Sequence, residues 1–277
     1  MPRRRPAPMP ASLRTMNTTG STASIRVGVV GAAGRMGSAA CAAIAAADDL
    51  ELVAAVVRAE PTDSIAGVAP TSEFRSLVDA GCDVVVDLST VNTSRTLIPF
   101  CALHGVHLVV GTTGFEPGEI DEMSSLFADA AAHCVFAPNF AISAVLMMRF
   151  AELAAPYFDT AEIIEIHHDA KADAPSGTAV ATADMMRPGS AGWAQDPTRH
   201  TTVEGARGGR GPNGVHIHSV RMRGAVAHQE VILGTTGQTL TIRQDSYDRS
   251  SFMPGVLLAC RRIADHPGVT VGLHRLL

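Results

Sequence analysis

A β-branched run, Ile25 to Val30, stops at a glycine, passes through GAAGRMG (Gly31 to Gly37) and continues as an alanine-rich stretch to Ala47. A strand that breaks at glycine and reopens as a helix leaves few folds open. The run shows no polar alternation, so both its faces are covered, as in a parallel sheet whose crossover helices lie on either side. Glu51 to Val57, Val84 to Leu88 and Leu108 to Val110 repeat that texture, with helical stretches such as Ser94 to His104 between them. Continuous apolar strands alternating with helices predict a doubly wound α/β unit.

The glycines also suggest a ligand. They let the turn tighten and let backbone approach a pyrophosphate, while the helix N-terminus offers N–H groups and positive potential. The spacing is GxxGxxG, and its place between strand and helix points to a dinucleotide. The second strand ends Val56-Val57-Arg58. An acid at that tip would hold the ribose diol of NAD, whereas valine cannot, and an arginine just beyond suits a 2′-phosphate. NADPH is therefore the expected preference, with Glu60 leaving a route for NADH. The tetrapeptide GTTG occurs at 111–114 and again at 234–237. The first copy ends a buried parallel strand, at the edge where such sheets bind ligands; the second joins two alternating strands as a hairpin turn.

Beyond Phe140 the pattern changes. A Met/Leu-rich helix (Ile142 to Ala155) leads to a strand, Glu162 to Ile166, then a helix from about Ser176 to Met186 and a Gly/Pro-rich loop from Pro188 to Gly214. Val215 to Arg223, Val226 to Leu233 and Gln238 to Arg243 read as an antiparallel meander joined by glycine turns. A last helix, about Phe252 to Ala264, has the character of the first half and is expected to pack back on it. The domains expected are 25–138 for the dinucleotide, 139–250 as an inserted α+β unit, and 251–277 returning to the first. Residues 1–24 hold Arg3, Arg4, Arg5 and Arg14 and no acid, the first acid being Asp48. They are expected to be a disordered extension, or sequence upstream of a start at Met16, in preference to a targeting segment.

Composition excludes other classes. A net charge of −5 argues against nucleic acid as a partner, and no apolar run reaches the length of a membrane span. EGARGGRGPNG (Glu204 to Gly214) is accordingly a connecting loop. Five scattered cysteines without a CxxC pair read as reduced core residues of a cytoplasmic protein.

The segment richest in chemistry is EIIEIHHDAKADAPSGTA, Glu162 to Ala179. A strand ends in His167 and His168, Lys171 follows, Asp173-Ala174-Pro175 closes the loop, and Ser176-Gly177-Thr178 opens a helix. An imidazole can move protons at neutral pH. The helix start, with Gly177 giving backbone access and Thr178 a hydroxyl, suits a carboxylate. Together these imply an anionic small substrate that is protonated as hydride arrives. Each piece also has an ordinary reading, a solvated loop histidine or a plain N-cap at Ser176. No metal is expected at His167, His168 and Asp169, because adjacent strand-end residues point apart. Of the 22 basic residues only Lys171 is a lysine, and it falls where a guanidinium would give up a proton poorly.

This segment resembles the signature of the 4-hydroxy-tetrahydrodipicolinate reductase (dihydrodipicolinate reductase) family of lysine and diaminopimelate biosynthesis. GAAGRMG, VVGTTGF (Val109 to Phe115) and APNFAIS (Ala137 to Ser143) match its other blocks in order, and the resemblance runs from Ile25 to the C-terminus. It implies a Rossmann-like doubly wound sheet with an inserted α+β domain for substrate and oligomerisation. The implied reaction takes hydride from NAD(P)H onto the cyclic imine made from hydroxy-tetrahydrodipicolinate. By resemblance His167 is proton donor and acceptor, Lys171 is proton donor, and His168, Gly177 and Thr178 hold the dicarboxylate. Gly31, Ala32, Ala33, Gly34, Arg35 and Met36, then Gly111, Thr112 and Thr113, then Ala137, Pro138, Asn139 and Phe140, would line the cofactor beside Arg58. A homotetramer built through the inserted sheet is implied too. Many members carry an acid where this chain has Val57, which weakens the expected tolerance for NADH. The segment between Met186 and His200 is a Gly/Pro/Trp loop around Trp193 that departs from the family pattern in length and role, and the 24-residue N-terminal extension matches none of its blocks. The alternatives are a dehydrogenase of another small amino acid, such as aspartate or homoserine, and a silent nucleotide-sensing scaffold. The silent reading predicts loss of His167, His168 and Lys171, all of which are present.

Overall fold

A computed structural model describes residues 23–59, 63–116 and 118–277. Residues 1–22 of the expected extension, and Glu60, lie outside the described residues. The chain opens with β1 (Ile25–Val30), α1 (Arg35–Ala45), β2 (Leu50–Val56), β3 (Pro70–Thr71), α2 (Arg75–Asp79) and β4 (Val84–Asp87). It continues with α3 (Val91–His104), β5 (His107–Val110), α4 (Glu119–Ser124) and β6 (Cys134–Phe136). The strands pair in parallel in the order β6-β5-β4-β1-β2-β3. Their alternate residues feed two cores, which is why the sequence shows no polar alternation. Val29, Val86, Val109 and Val135 pack with Ala40 and Ile44 of α1 on one face. Val85, Leu108 and Cys134 pack with Leu97 and Ile98 of α3 on the other.

The second sheet follows α5 (Ile142–Ala154), with β7 (Thr160–His167), α6 (Gly177–Met185), β8 (Gly209–Arg210), β9 (His216–Arg221), β10 (Ala227–Thr235) and β11 (Gln238–Ser246). Its order is β11-β10-β7-β9-β8. The expected meander is corrected here: β9 and β10 are not neighbours, because β7 lies between them, parallel to β9 and antiparallel to β10. Residues 222–226 step across that one strand, a span of roughly 10 Å at the usual strand spacing. Of the three strands expected to form the meander, β10 and β11 do form a hairpin, turning through Thr236 and Gly237 at the second GTTG, where Gly237 has φ +81°. The Gly/Pro-rich loop ends by adding β8 to the edge of β9. One face of this sheet, through Ile163, Ile217, Val231 and Leu233, packs on Met147, Ala151, Ala179 and Ala183 of α5 and α6.

The chain then returns to the first sheet. α7 (Met253–Arg262) buries Met253, Val256, Ala259 and Cys260 in the core that holds Val29 and Val86. β12 (Val269–Val271) adds in parallel beside β6 as a seventh strand. Among the described residues, no helix is long and apolar enough to cross a membrane. All five cysteines are buried and unpaired.

Candidate functional site

The loop after β1 is built without room for side chains. Gly31 has φ +81°, and a Cβ on it would lie 2.6 Å from the Leu88 carbonyl oxygen. A Cβ on Gly37 would lie 2.0 Å from the Gly31 oxygen, so the first turn of α1 sits directly on the loop. No side chain caps α1 at Gly34, which leaves its leading N–H groups for a ligand. A cavity of about 610 Å³ opens here, with Gly31, Ala33, Gly34 and Arg58 on its wall opposite Phe74, Ser89 and Thr90. Ala32 backs the loop instead: it is fully buried and its N–H donates to the Val56 oxygen at 3.1 Å. Arg35 is exposed, and Met36 packs partly against the core. Ser89 was not singled out from the sequence. Its hydroxyl and N–H donate to the buried Asp87 carboxylate at 2.5 and 3.0 Å. Its place just past the carboxyl end of β4 was the available signal.

The end of β5 carries the first GTTG. Gly111 donates to the Asp87 oxygen at 2.9 Å, and a Cβ on it would lie 2.5 Å from the buried Phe140 ring. Thr112, Thr113, Ala137 and Pro138 line a cavity of about 170 Å³. Among the described residues, the Thr112 hydroxyl oxygen, buried there, has no hydrogen-bond partner. The glycine cradle, the uncapped helix and this orphaned hydroxyl all fit a dinucleotide laid along the carboxyl edge of the sheet. Pro138 also lines a further cavity of about 220 Å³, together with Asn139, His167, Ser176 and Thr178. The proposed cofactor row therefore meets the His167 segment at Pro138.

His167 is the last residue of β7, and Glu165, two residues back on the same face, is completely buried. The Glu165 carboxylate lies 2.5 Å from His167 Nδ1 and accepts two hydrogen bonds of 2.8 Å from Arg221 Nη1 and Nη2. The Ser176 N–H donates to its other oxygen at 3.2 Å. Arg221 stands opposite His167 in the parallel pairing of β7 with β9, and Nη2 also donates to the Asp173 carbonyl at 2.7 Å. Burial works to raise the Glu165 carboxyl, but hydrogen bonds from Arg221, Ser219 and His167 outweigh it and hold it below the usual carboxylate range. Burial pushes the His167 imidazole below 6.5; Glu165 opposes this, while Lys171 and Arg221 add to it. An ionised carboxylate only accepts, so His167 donates through Nδ1 and keeps Nε2 bare.

The rest of the segment is divided by its loop. Lys171 Nζ donates to both Asp173 oxygens, at 2.7 and 2.8 Å, and does not line the His167 cavity. His168 is exposed, and Asp169 accepts from Arg223 at 3.0 Å. Ser176 is the N-cap of α6, accepting from the Ala179 N–H at 3.2 Å. Gly177 faces open space, with nothing within 4 Å of a Cβ built on it. The structure thus brings together His167, Thr178 and Asn139 around one cavity, and Lys171, His168 and Gly177 are not part of its lining. Sequence reading passed over Glu165 and Arg221. The period of two from His167 points to Glu165, whereas nothing local marks Arg221.

Residues 25–140 match the model of the family described as dihydrodipicolinate reductase, N-terminus, and residues 143–277 match its C-terminus. The 4-hydroxy-tetrahydrodipicolinate reductase of Corynebacterium aurimucosum is 48% identical over 257 residues, covering 92% of this chain and 99% of that protein. That of Nocardia farcinica is 49% identical over 258 residues, with the same coverage. The solved dipicolinate-bound dihydrodipicolinate reductase from Paenisporosarcina sp. TG-14 superposes with a TM-score of 0.84 at 38% identity, over 92% of this chain and all of that one. The amine dehydrogenase from Mycobacterium smegmatis, at 14% identity and a TM-score of 0.62 over 91% of this chain and 95% of that one, shares the fold alone.

Proposed function

The chain belongs to the dihydrodipicolinate reductase family, and from that premise we propose how its residues reduce 4-hydroxy-tetrahydrodipicolinate in lysine biosynthesis. The protein is an oxidoreductase that uses a nicotinamide dinucleotide. The observation that carries the site assignment is the Glu165–His167 pair, whose cavity adjoins the Thr112–Thr113 cavity through Pro138. When bound, the cofactor supplies the hydride. Gly31 to Gly34 and the first turn of α1 hold its pyrophosphate, and Arg58 pairs with the 2′-phosphate of NADPH. His167 takes a proton at its bare Nε2 and returns it to the hydroxyl that leaves as water, and Lys171 gives from Nζ the one proton that hydride addition to the imine consumes. His168, the Gly177 backbone and the Thr178 hydroxyl take the substrate carboxylates. Lys171 must leave Asp173 to act, and an arriving dicarboxylate offers its ammonium another anionic partner.

Mixing aspartate semialdehyde, pyruvate and the upstream synthase with this protein tests the reading by NADPH absorbance. Oxidation that depends on the synthase is expected. None above background overturns the reading, and oxidation with aspartate semialdehyde alone favours the dehydrogenase alternative. The same assay checks the cofactor. Arg58→Ala is expected to raise KM for NADPH about tenfold while leaving that for NADH, since a charged hydrogen bond contributes about 1.5–3 kcal/mol. A KM ratio favouring NADH by tenfold in the unaltered protein would refute the NADPH preference.

We divide the chain into a nucleotide unit, 25–138 with 251–277, and a unit for substrate and assembly, 139–250. Half-buried Ile164, Ile166 and Ile232 on the uncovered face of the second sheet support a homotetramer built there. A light-scattering mass of one chain would exclude it. The five buried thiols support a reducing, cytoplasmic setting.

A further inference from the structure

Asn139, in the loop between β6 and α5, joins that loop to the start of α6. Its Oδ1 accepts from the Ala141 N–H at 2.8 Å. A backbone N–H can only donate, so the amide orientation is fixed and Nδ2 is left as donor. Nδ2 lies 3.2 Å from the Thr178 hydroxyl oxygen. That oxygen accepts, and the hydroxyl proton is free to point elsewhere. Both residues line the cavity that holds His167. Beside them Gly177 leaves the helix start open.

We propose that Asn139 is a positioning residue for substrate recognition: by donating to the Thr178 hydroxyl oxygen it turns the hydroxyl proton toward a substrate carboxylate. An ionised carboxylate only accepts hydrogen bonds, so a hydroxyl helps it only when its proton faces it. Without Asn139 the hydroxyl rotates freely, and its lone pairs oppose the carboxylate for part of the time. This role differs from the cofactor contact expected of Asn139, and it rests on the assignment of Thr178 to a carboxylate above.

The test measures Ki for dipicolinate, KM for substrate and KM for NADPH in the full-length enzyme. The variants are Asn139→Ala, Thr178→Val, Thr178→Ser and the pairings of Asn139→Ala with each Thr178 change. Thr178→Val is expected to raise Ki about tenfold, and Asn139→Ala about three- to fivefold, with KM for NADPH changed less than twofold. Asn139→Ala should add nothing on top of Thr178→Val and should keep its effect on top of Thr178→Ser. Additive effects in the valine background, or a rise in NADPH KM equal to that in Ki, would overturn the positioning role while leaving the carboxylate assignment standing. An unchanged Ki in Thr178→Val itself would overturn both.

Discussion

Lys171→Arg is expected to fold and to bind NADPH normally, yet to lose at least about 100-fold in kcat, the lower end of a typical acid–base contribution. Arginine keeps the charge and would pair with the exposed Asp173 carboxylate at least as well as Lys171 does, through its planar fork. Folding and loop closure therefore have no reason to suffer. What arginine lacks is a releasable proton, since guanidinium stays charged to above ~12 whereas an ammonium can be tuned to donate. The chain uses arginine at every other basic position, and its one lysine falls where the proposed proton donation would not tolerate arginine. Saturating turnover by NADPH absorbance, with melting temperature as the folding control, reads the effect. Turnover within about tenfold of the unaltered protein would remove Lys171 from the chemistry.

Much of this could be read in advance because its causes are local. A strand, a glycine cradle and a helix start lie within Ile25 to Ala45, and burial on both faces leaves its mark as unbroken apolar runs. β3, β6 and β12 went unread because two or three residues carry no period. The meander failed for a different reason. β9 and β10 look like consecutive arms of a hairpin, but the crossover through α6 brings β9 in parallel beside β7, and β10 takes the other edge. That long-range pairing also sets Arg221 opposite His167, 56 residues from the carboxylate it clamps. The proposed donors and acceptors lie in one segment together with Glu165, whereas the arginine that clamps Glu165 comes from a distant strand.

Arg221→Met is expected to cost about 3–5 kcal/mol of stability at pH 7, the penalty for stranding a buried charge. Glu165 is wholly buried, and losing the two Arg221 hydrogen bonds leaves it Ser176 N–H, Ser219 and His167, none of which carries the full positive charge of a guanidinium. In the native chain its carboxyl sits below the ordinary value, so its contribution is complete above about pH 4.5 and disappears as pH falls through the lowered value. Without Arg221, burial raises that carboxyl instead. The variant's deficit should then shrink between pH 7 and pH 5, where the folded form takes up a proton that the unfolded chain does not. His167 should respond in the opposite sense to its native shift. It lies below 6.5 in the native chain, where burial and the Lys171 and Arg221 charges hold it down, and removing the Arg221 charge lifts one of those causes, so the acid limb of kcat/KM should move to higher pH. Urea denaturation at the two pH values and a pH–rate profile read these effects; an equal deficit at both, or an unmoved limb, would contradict them. Glu165→Gln combined with Arg221→Met removes both charges and should regain much of the lost stability, because a buried pair contributes little net to folding. It should not regain turnover to match, since glutamine neither carries the charge nor dictates which imidazole nitrogen holds the proton. Stability and turnover parting in the double variant would identify the pair as a device for His167, and their joint recovery would identify it as a strut of the sheet.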